Sequence, residues 1–287
     1  MSPDGTAESP GSRIPIEEVI RLAEEAGRIL RDFRTDPDRA LSVVHKGFRD
    51  LVTAADLASE DAILAGLRRL APEVPILSEE SADISEADGR AGPLWVVDPL
   101  DGTTNFTHGH PLYSVSIALV ESGVPRLAVI HAPELGPDPA GRTWSAVRGG
   151  GAFEGDRPIE VSREEDLGAA LLATGFSYGR IELETGGFDA FGRLLRRARE
   201  IRRGGSACLD LAFTAAGIFD GYWEADLKPH DVAAGALLVR EAGGRVTDFR
   251  DGDDWLFGRS LVAGGARIHH ALLDEVASVR VQRPEGG

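Results

Sequence analysis

The sequence predicts a mixed fold, α/β with α+β character, and three observations support this class. Apolar residues recur at helical spacing near the start of the chain. Short apolar runs separated by turn residues then dominate the first half, as expected for a sheet rich in antiparallel strands. In the second half, strand-like runs are separated by helical patterns, which is typical of an α/β arrangement.

The first half begins with two predicted helices. Apolar positions over residues 16–33 follow the spacing of an amphipathic helix, and a second helix is predicted over residues 54–70. Residues 1–13 are rich in Ser, Pro, Gly and Asp and show no periodicity, so we expect a disordered tail there. A short flexible tail is expected over residues 281–287 as well.

Strands and the remaining helices are predicted from apolar runs bounded by turn residues. In the first half the predicted strands are 75–78, 94–97, 114–120, 126–130, 143–147 and 152–153. In the second half, strands over 171–174, 221–224, 246–247 and 261–263 are separated by helices over 188–200, 206–216, 232–242 and 267–276. This pattern divides the chain into an N-terminal α+β half, residues 14–165, and a C-terminal α/β half, residues 166–280.

Composition disfavours several classes of function. The formal net charge of -16 disfavours a nucleic-acid partner. No apolar run approaches membrane-spanning length and the N-terminus lacks a signal-peptide pattern, so we expect a cytoplasmic protein without a membrane partner. The single cysteine, Cys208, excludes an intramolecular disulfide and lies in an apolar run that predicts a buried structural thiol.

The most informative segment covers residues 95–106 and contains the string Asp-Pro-Leu-Asp-Gly-Thr-Thr. An apolar strand is predicted to end at Asp98, where Pro99 stops strand pairing, and Asp101 follows three residues later. Gly102 permits a tight turn, and the threonines after it suit a helix start with outward N–H groups. Two carboxylates beside amide donors suit Mg²⁺ and phosphate, whereas either aspartate alone would be an ordinary cap or turn residue.

The same string resembles the signature of the inositol monophosphatase family, whose members are lithium-sensitive, metal-dependent phosphatases. Other segments are similar to the family's remaining motifs, in the family's order: 46–56, 77–81, 203–212, 221–224 and 231–235. The resemblance implies a layered α-β-α-β-α sandwich with the metals between the two halves. It also implies a homodimer.

By this resemblance the chain would bind two to three Mg²⁺ ions, and Li⁺ would inhibit it. Asp56 and Thr103 would orient or deprotonate the attacking water, and Glu79 would act with them. Asp98 would bridge two ions. The implied metal ligands are the carboxylates of Glu79, Asp98, Asp101 and Asp231 and the main-chain carbonyl of Leu100.

Substrate contacts are also implied by the resemblance. The backbone N–H groups of Gly102 and Thr103 would hold phosphate oxygens, and a carboxylate at Glu224 suits adjacent hydroxyl groups. The leaving alcohol would contact Asp101, Glu224 and the backbone near Ser206 and Ala207. Lys46 and His230 are weaker candidates; many relatives have Trp where His230 stands, and an imidazole there could tune the site or contact substrate.

Ordinary structural roles stay open for several of these residues. Asp56 could be a first-turn helix aspartate, and Asp231 could cap the following helix. Glu79 could be a surface charge, and Glu224 an exposed residue at a strand end. Lys46 could be a solvated lysine, and His230 a partly exposed structural histidine.

These observations predict magnesium-dependent hydrolysis of a small phosphate monoester, with inositol monophosphate as the first candidate. Histidinol phosphate, fructose 1,6-bisphosphate and adenosine 3′,5′-bisphosphate are alternative substrates. A regulatory or binding protein that retains the fold is an alternative from another class. A dehydrogenase based on the glycines at 149–151 is disfavoured, because no helix is predicted after them.

Overall fold

The computed structural model describes residues 14–35, 44–45, 51–81, 90–136, 140–177 and 185–281. The seven helices in these ranges are α1 (Ile16–Thr35), α2 (Ala54–Leu70), α3 (Thr103–Thr107), α4 (Gly187–Arg197), α5 (Ala207–Ala215), α6 (Pro229–Glu241) and α7 (Ala266–Val276). Lys46 and the predicted tails, apart from residue 281, lie outside the described residues. Within the described part, no helix combines the length and apolar character needed to cross a membrane.

The strands form two larger sheets and one short pair. The strands are β1 (Val44–His45), β2 (Leu51–Val52), β3 (Ile76–Ser78), β4 (Pro93–Asp101), β5 (Ser114–Glu121), β6 (Val124–Ala132), β7 (Arg142–Val147), β8 (Ala152–Glu154), β9 (Arg157–Pro158), β10 (Leu171–Thr174), β11 (Glu200–Arg202), β12 (Gly221–Ala225), β13 (Arg245–Thr247) and β14 (Ser260–Gly264). The first sheet runs in chain order from β3 to β9 and is antiparallel except for the β3–β4 pair. The second has the order β11-β10-β12-β14-β13, with β10 parallel to both neighbours.

Alternation along β4 shows how the first sheet is covered on both faces. Trp95 and Val97 pack with α1 and α2 in one apolar cluster. Leu94 and Val96 point to the other face and join a cluster that contains α5 and α6. Because successive side chains of a strand face opposite ways, a strand covered by helices on both sides is apolar throughout.

The second sheet completes the layers. Tyr222 and Ala263 belong to the same cluster as α5 and α6, so these two helices lie between the sheets. Trp223 and Val262 face the other way and pack with α4 and α7. The order of layers is therefore α-β-α-β-α, as the sequence resemblance implied.

The helix predicted over residues 188–200 was wrong at its end. Helix α4 ends at Arg197, and residues 200–202 form the edge strand β11. The N–H groups of Arg199 and Glu200 donate to the Ala170 carbonyl, and β11 continues along β10 in parallel register. A three-residue edge strand with two charged members has no sequence pattern of its own.

Two further boundaries differ near the predicted site. Helix α6 begins at Pro229 instead of Val232, so His230 and Asp231 lie in its first turn. Strand β4 does not stop at Asp98. Its pairing shifts register and resumes at Asp101 opposite Ser114, so Pro99 interrupts the ladder without ending the strand.

Candidate active site

The irregular end of β4 brings Asp98 and Asp101 into the protein interior. The carboxylate of Asp98 accepts the Leu100 N–H at 3.0 Å, which closes a tight local turn. The Ser59 hydroxyl on α2 donates to the Pro99 carbonyl at 2.7 Å. The bulge is therefore fixed both by its own side chain and by the neighbouring helix.

A glycine turn connects this bulge to α3. Gly102 has φ 95, and a Cβ there would lie 3.0 Å from the Leu112 carbonyl oxygen. A left-handed conformation this close to backbone suits glycine best. On α3, the Asn105 amide donates to the carbonyls of Leu112 at 2.6 Å and Gly204 at 2.9 Å. Asn105 thus joins the turn to a loop from the C-terminal half.

Asp56 combines its structural role with a contact to Thr103. One carboxylate oxygen accepts the Thr53 N–H at 2.8 Å, which completes a capping box with the N-cap residue Thr53. Asp56 therefore has the role of a first-turn helix aspartate, which was the structural alternative given for it. The other oxygen lies 3.2 Å from the Thr103 hydroxyl oxygen, which is also 3.1 Å from the Leu100 carbonyl oxygen. Burial raises the pKa of Asp56 against the opposing effect of these hydrogen bonds.

The C-terminal half holds Asp101 through the start of α5. The Ser206 hydroxyl donates to the Asp101 carboxylate at 2.5 Å, and the Cys208 N–H donates to the same oxygen at 2.8 Å. Ser206 is also the N-cap of α5. The thiol of Cys208 is buried, as predicted, and burial raises its pKa.

Asp231 reaches the same place from α6. Its carboxylate accepts the Lys228 N–H at 2.6 Å, so it caps its helix, yet oxygen atoms of Asp98, Asp101 and Asp231 all lie within 4.8 Å of one another. A second group, formed by Glu79, Asp98 and His230, meets the same distance limit. Asp98 belongs to both groups, so either set could hold a metal ion and they share one carboxylate.

The electrostatics of this cluster are unfavourable for four carboxylates. Burial is the main cause that raises the pKa of Asp98, and the charges of Glu79, Asp101 and Asp231 raise it further. Burial also raises the pKa of Glu79 to about 7 and those of Asp101 and Asp231 to about 6. The fold thus concentrates negative charge where few cations among the described residues compensate it.

A cavity of about 310 Å³ opens beside the carboxylates. The residues predicted to contact the leaving alcohol share this space, whereas Gly102 and Thr103, predicted to hold the phosphate, do not line it. The wall includes Glu79, Asp101, Ser206, Ala207, Glu224, His230 and Asp231. Glu224 is not an exposed strand end: its carboxylate accepts the Tyr222 hydroxyl at 2.6 Å, and burial raises its pKa to about 8. Asp210 and Arg203 line the same cavity.

Several residues that shape the site were not identified from the sequence. Asn105 directly follows the Asp-Pro-Leu-Asp-Gly-Thr-Thr string, and that position was the available signal. Ser59 and Asp210 carry no local signal, because Ser59 binds the Pro99 carbonyl 40 residues away and Asp210 meets Asp101 and Glu224 only in the folded chain. Tyr222 stands two residues before Glu224 on β12, so the shared face of this strand was the available signal there.

Comparison with known proteins agrees with this architecture. The model of the inositol monophosphatase family matches residues 15–282. The chain is 39% identical over 255 residues to the Nus factor SuhB of Escherichia coli K12, covering 89% of this chain and 92% of that protein. It is 38% identical over 261 residues to the chloroplastic phosphatase IMPL1 of Arabidopsis thaliana, covering 91% of this chain and 69% of that one.

A solved structure gives the same result for the fold. The inositol monophosphatase of Anabaena (Nostoc) sp. PCC 7120 superposes with a TM-score of 0.79 at 36% sequence identity. The match covers 92% of this chain and 96% of that structure. Sequence, layer order and the family model agree over nearly the whole chain, and the protein belongs to the inositol monophosphatase family.

Proposed function

We propose that this protein hydrolyses a small phosphate monoester with a water nucleophile and Mg²⁺ as cofactor. The observation that carries the proposal is the convergence of Asp231 with Asp98 and Asp101. Their oxygens lie within 4.8 Å of one another, although Asp231 follows Asp101 by 130 positions in the chain. Capping of α6 alone would not require the Asp231 carboxylate to lie beside the buried carboxylates of Asp98 and Asp101. The family membership supports the same reaction class.

The donor set fits a divalent cation. Carboxylate and carbonyl oxygens are the hard ligands that Mg²⁺ prefers. The raised pKa values of Asp98, Asp101 and Asp231 reflect buried negative charge that a divalent cation would compensate. The residues that would hold two to three ions are Glu79, Asp98, Leu100, Asp101 and Asp231. Bound ions would supply a hydroxide from water near neutral pH and neutralise charge on the leaving oxygen.

Asp56 and Thr103 are placed to handle the proton of the attacking water. The Thr103 hydroxyl oxygen lies 3.2 Å from a carboxylate oxygen of Asp56. A water that donates a hydrogen bond to this hydroxyl would therefore be linked through it to the buried Asp56 carboxylate. Because burial raises the pKa of Asp56, the carboxylate is a better proton acceptor than an exposed aspartate. Glu79, at the edge of the cavity, would act with them on this water.

The cavity suits a hydroxyl-rich leaving group, and inositol monophosphate is our first candidate substrate. Glu224 would accept hydrogen bonds from hydroxyl groups, with Asp101 and the backbone near Ser206 and Ala207 beside it. The N–H groups of Gly102 and Thr103 would bind phosphate oxygens. Histidinol phosphate, fructose 1,6-bisphosphate and adenosine 3′,5′-bisphosphate remain rival substrates of the same chemistry.

A panel of these four esters tests the proposal. We expect phosphate release that requires Mg²⁺ and stops in chelator, and loss of release in Asp98→Asn. Glu154→Gln, which removes a charge outside the cavity, is the matched control and should keep full activity. Absence of Mg²⁺-dependent release from every ester would overturn the proposal. Turnover of only the cationic histidinol ester would reject the inositol substrate and keep the reaction.

Several finer expectations stay predictions. Inhibition by Li⁺, a homodimer, a cytoplasmic location and the division into halves at residue 165 belong to this group. The seven-stranded sheet ends at Pro158 and the five-stranded sheet begins at Leu171, which supports a boundary between them.

A binding role is a second candidate function, because the Escherichia coli relative is named a Nus factor. Such a role needs no turnover. The net charge of -16 favours a protein partner over nucleic acid. An inactive Asp98→Asn variant that still supports the cellular role of the wild type would favour binding, whereas loss of that role with activity would favour catalysis.

A further inference from the structure

His230 stands out among the residues of the cavity because it adds a nitrogen donor to an oxygen-rich site. Its Nε2 lies 4.0 Å from a Glu79 carboxylate oxygen and 3.8 Å from an Asp231 oxygen. With Glu79 and Asp98 it forms a group whose ligand atoms all lie within 4.8 Å of one another. One imidazole and two carboxylates thus lie close enough together to bind a single ion.

The position of His230 is fixed by the fold. Pro229 is the first residue of α6, and His230 follows it in the first turn. The histidine is 94% buried, so its ring has little freedom to leave the cavity wall. Asp231, the next residue, contributes to the other ligand group. One helix start therefore supplies a ligand to each of two adjacent groups.

The imidazole nitrogen of His230 changes which metal ion this group favours. Mg²⁺ is hard, prefers oxygen ligands and gives up its water reluctantly. Imidazole nitrogen suits Fe²⁺, Co²⁺ and Zn²⁺, and affinities for nitrogen-containing sites generally rise along the series from Mn²⁺ to Cu²⁺. The group with Asp101 and Asp231 contains only oxygen donors, so the two groups differ in the ion they favour.

We infer that the group formed by Glu79, Asp98 and His230 is a site for a transition-metal ion such as Co²⁺, Zn²⁺ or Fe²⁺. The inference rests on the proposed metal-dependent function and deepens it. His230 Nε2 is a direct ligand there. The oxygen-only group keeps Mg²⁺, so one of the two to three Mg²⁺ ions of the proposed function is replaced by a transition-metal ion at this group.

Co²⁺ is the probe that tests this assignment, with the full chain first stripped of metal by chelator. Proton NMR of the Co²⁺-loaded protein should show an exchangeable imidazole N–H signal shifted far outside the normal range. In His230→Gln, which keeps a polar side chain but removes the imidazole, this signal should vanish. Co²⁺ binding by calorimetry should weaken by about 10- to 100-fold, with a much smaller change for Mg²⁺.

His270→Gln is the matched control, because this histidine is exposed on α7 and is absent from the cavity wall. It should keep both the shifted signal and the Co²⁺ affinity. Melting temperatures of the metal-free variants check that each one folds, and the wild-type spectrum alone tests the inference if His230→Gln does not fold.

Two results would overturn the assignment. One is a wild-type Co²⁺ spectrum without a shifted imidazole signal, which would show that the histidine only pairs with Glu79. The other is equal Co²⁺ affinity in wild type and His230→Gln. Failure of the proposed function looks different: an intact imidazole signal without ester hydrolysis under any metal would remove the phosphatase and leave the metal site.

Discussion

Two regions of this molecule place carboxylates in opposite surroundings. Next to the cavity, Asp98 is buried beside other carboxylates, and burial is the main cause that raises its pKa. At the edge of the seven-stranded sheet, Glu154 lies between Arg142 at 2.6 Å and Arg157 at 2.5 Å. Hydrogen bonding from Arg142 is the main cause that lowers the pKa of Glu154.

The opposite pKa shifts of Asp98 and Glu154 reflect how the charge of each carboxylate is compensated. The edge carboxylate is matched by cations of the chain, so its charge is compensated without a ligand. Among the described residues, no Lys or Arg forms an ion pair with Glu79, Asp98, Asp101 or Asp231, and only His230 lies beside two of them. The burial of these carboxylates costs folding free energy. The molecule thereby keeps affinity for external cations at the expense of stability, a trade-off common at functional sites.

The largest expected effect is on activity in the cavity. Asp98→Asn removes a charge shared by both ligand groups, so Mg²⁺-dependent hydrolysis should fall by roughly 10³-fold or more. Steady-state kinetics with a saturating ester measures this, and circular dichroism checks the fold. Activity within tenfold of wild type would mean that the cavity does not work as proposed.

A pH effect is expected at a buried histidine outside the cavity. Burial lowers the pKa of His131 on β6 to about 4, from an ordinary value near 6.5. As the pH falls from 6.5 through 4, His131 binds a proton in the unfolded chain but stays neutral in the folded chain. Up to about 3 kcal/mol of stability should therefore be lost across this window.

Urea unfolding at pH 7 and pH 4.5 tests this expectation. The comparison of wild type with His131→Gln isolates the residue, because His269, whose pKa is also lowered to about 4, remains in both proteins. The variant should lose less stability on acidification than the wild type does. An identical loss in both proteins would exclude His131 as the source.

A smaller and opposite effect of Asp98→Asn is expected on stability. In chelator the variant should be more stable than wild type by about 1 kcal/mol, or ~2–4 °C in melting temperature, because crowded negative charge is removed. Added Mg²⁺ should raise the melting temperature of wild type only. A less stable metal-free variant would show that Asp98 is compensated within the protein.

The smallest effect is expected at the edge of the sheet. Glu154→Gln should cost less than about 1 kcal/mol, because partly exposed ion pairs contribute little. The loss should shrink at high salt, since screening weakens the pairs that are removed. Thermal melts in low and high salt measure it, and a salt-independent loss would point to packing instead of charge.

Local patterns were sufficient for much of the fold and part of the site. The helices over 16–35 and 54–70 were predicted within two residues, because burial of one face imposes a periodicity on the sequence. The string around Asp98 and Asp101 indicated a turn with two carboxylates for similar local reasons. By contrast, strand β11 was missed, and its first residue, Glu200, was predicted as the end of a helix, since its pairing with β10 is not encoded in its own three residues.

The resemblance to a family placed Asp231 with Asp98, but no pattern within the chain required it. Their meeting depends on α6 packing between two sheets, which is a property of the whole core. The links from Asn105 to Gly204 and from Ser206 to Asp101 have the same origin. Residue spacing reports which side chains share a face of one element, because that geometry repeats along the backbone. The packing of the layers decided that Glu154 is paired with arginines, whereas Asp98 lies beside other carboxylates.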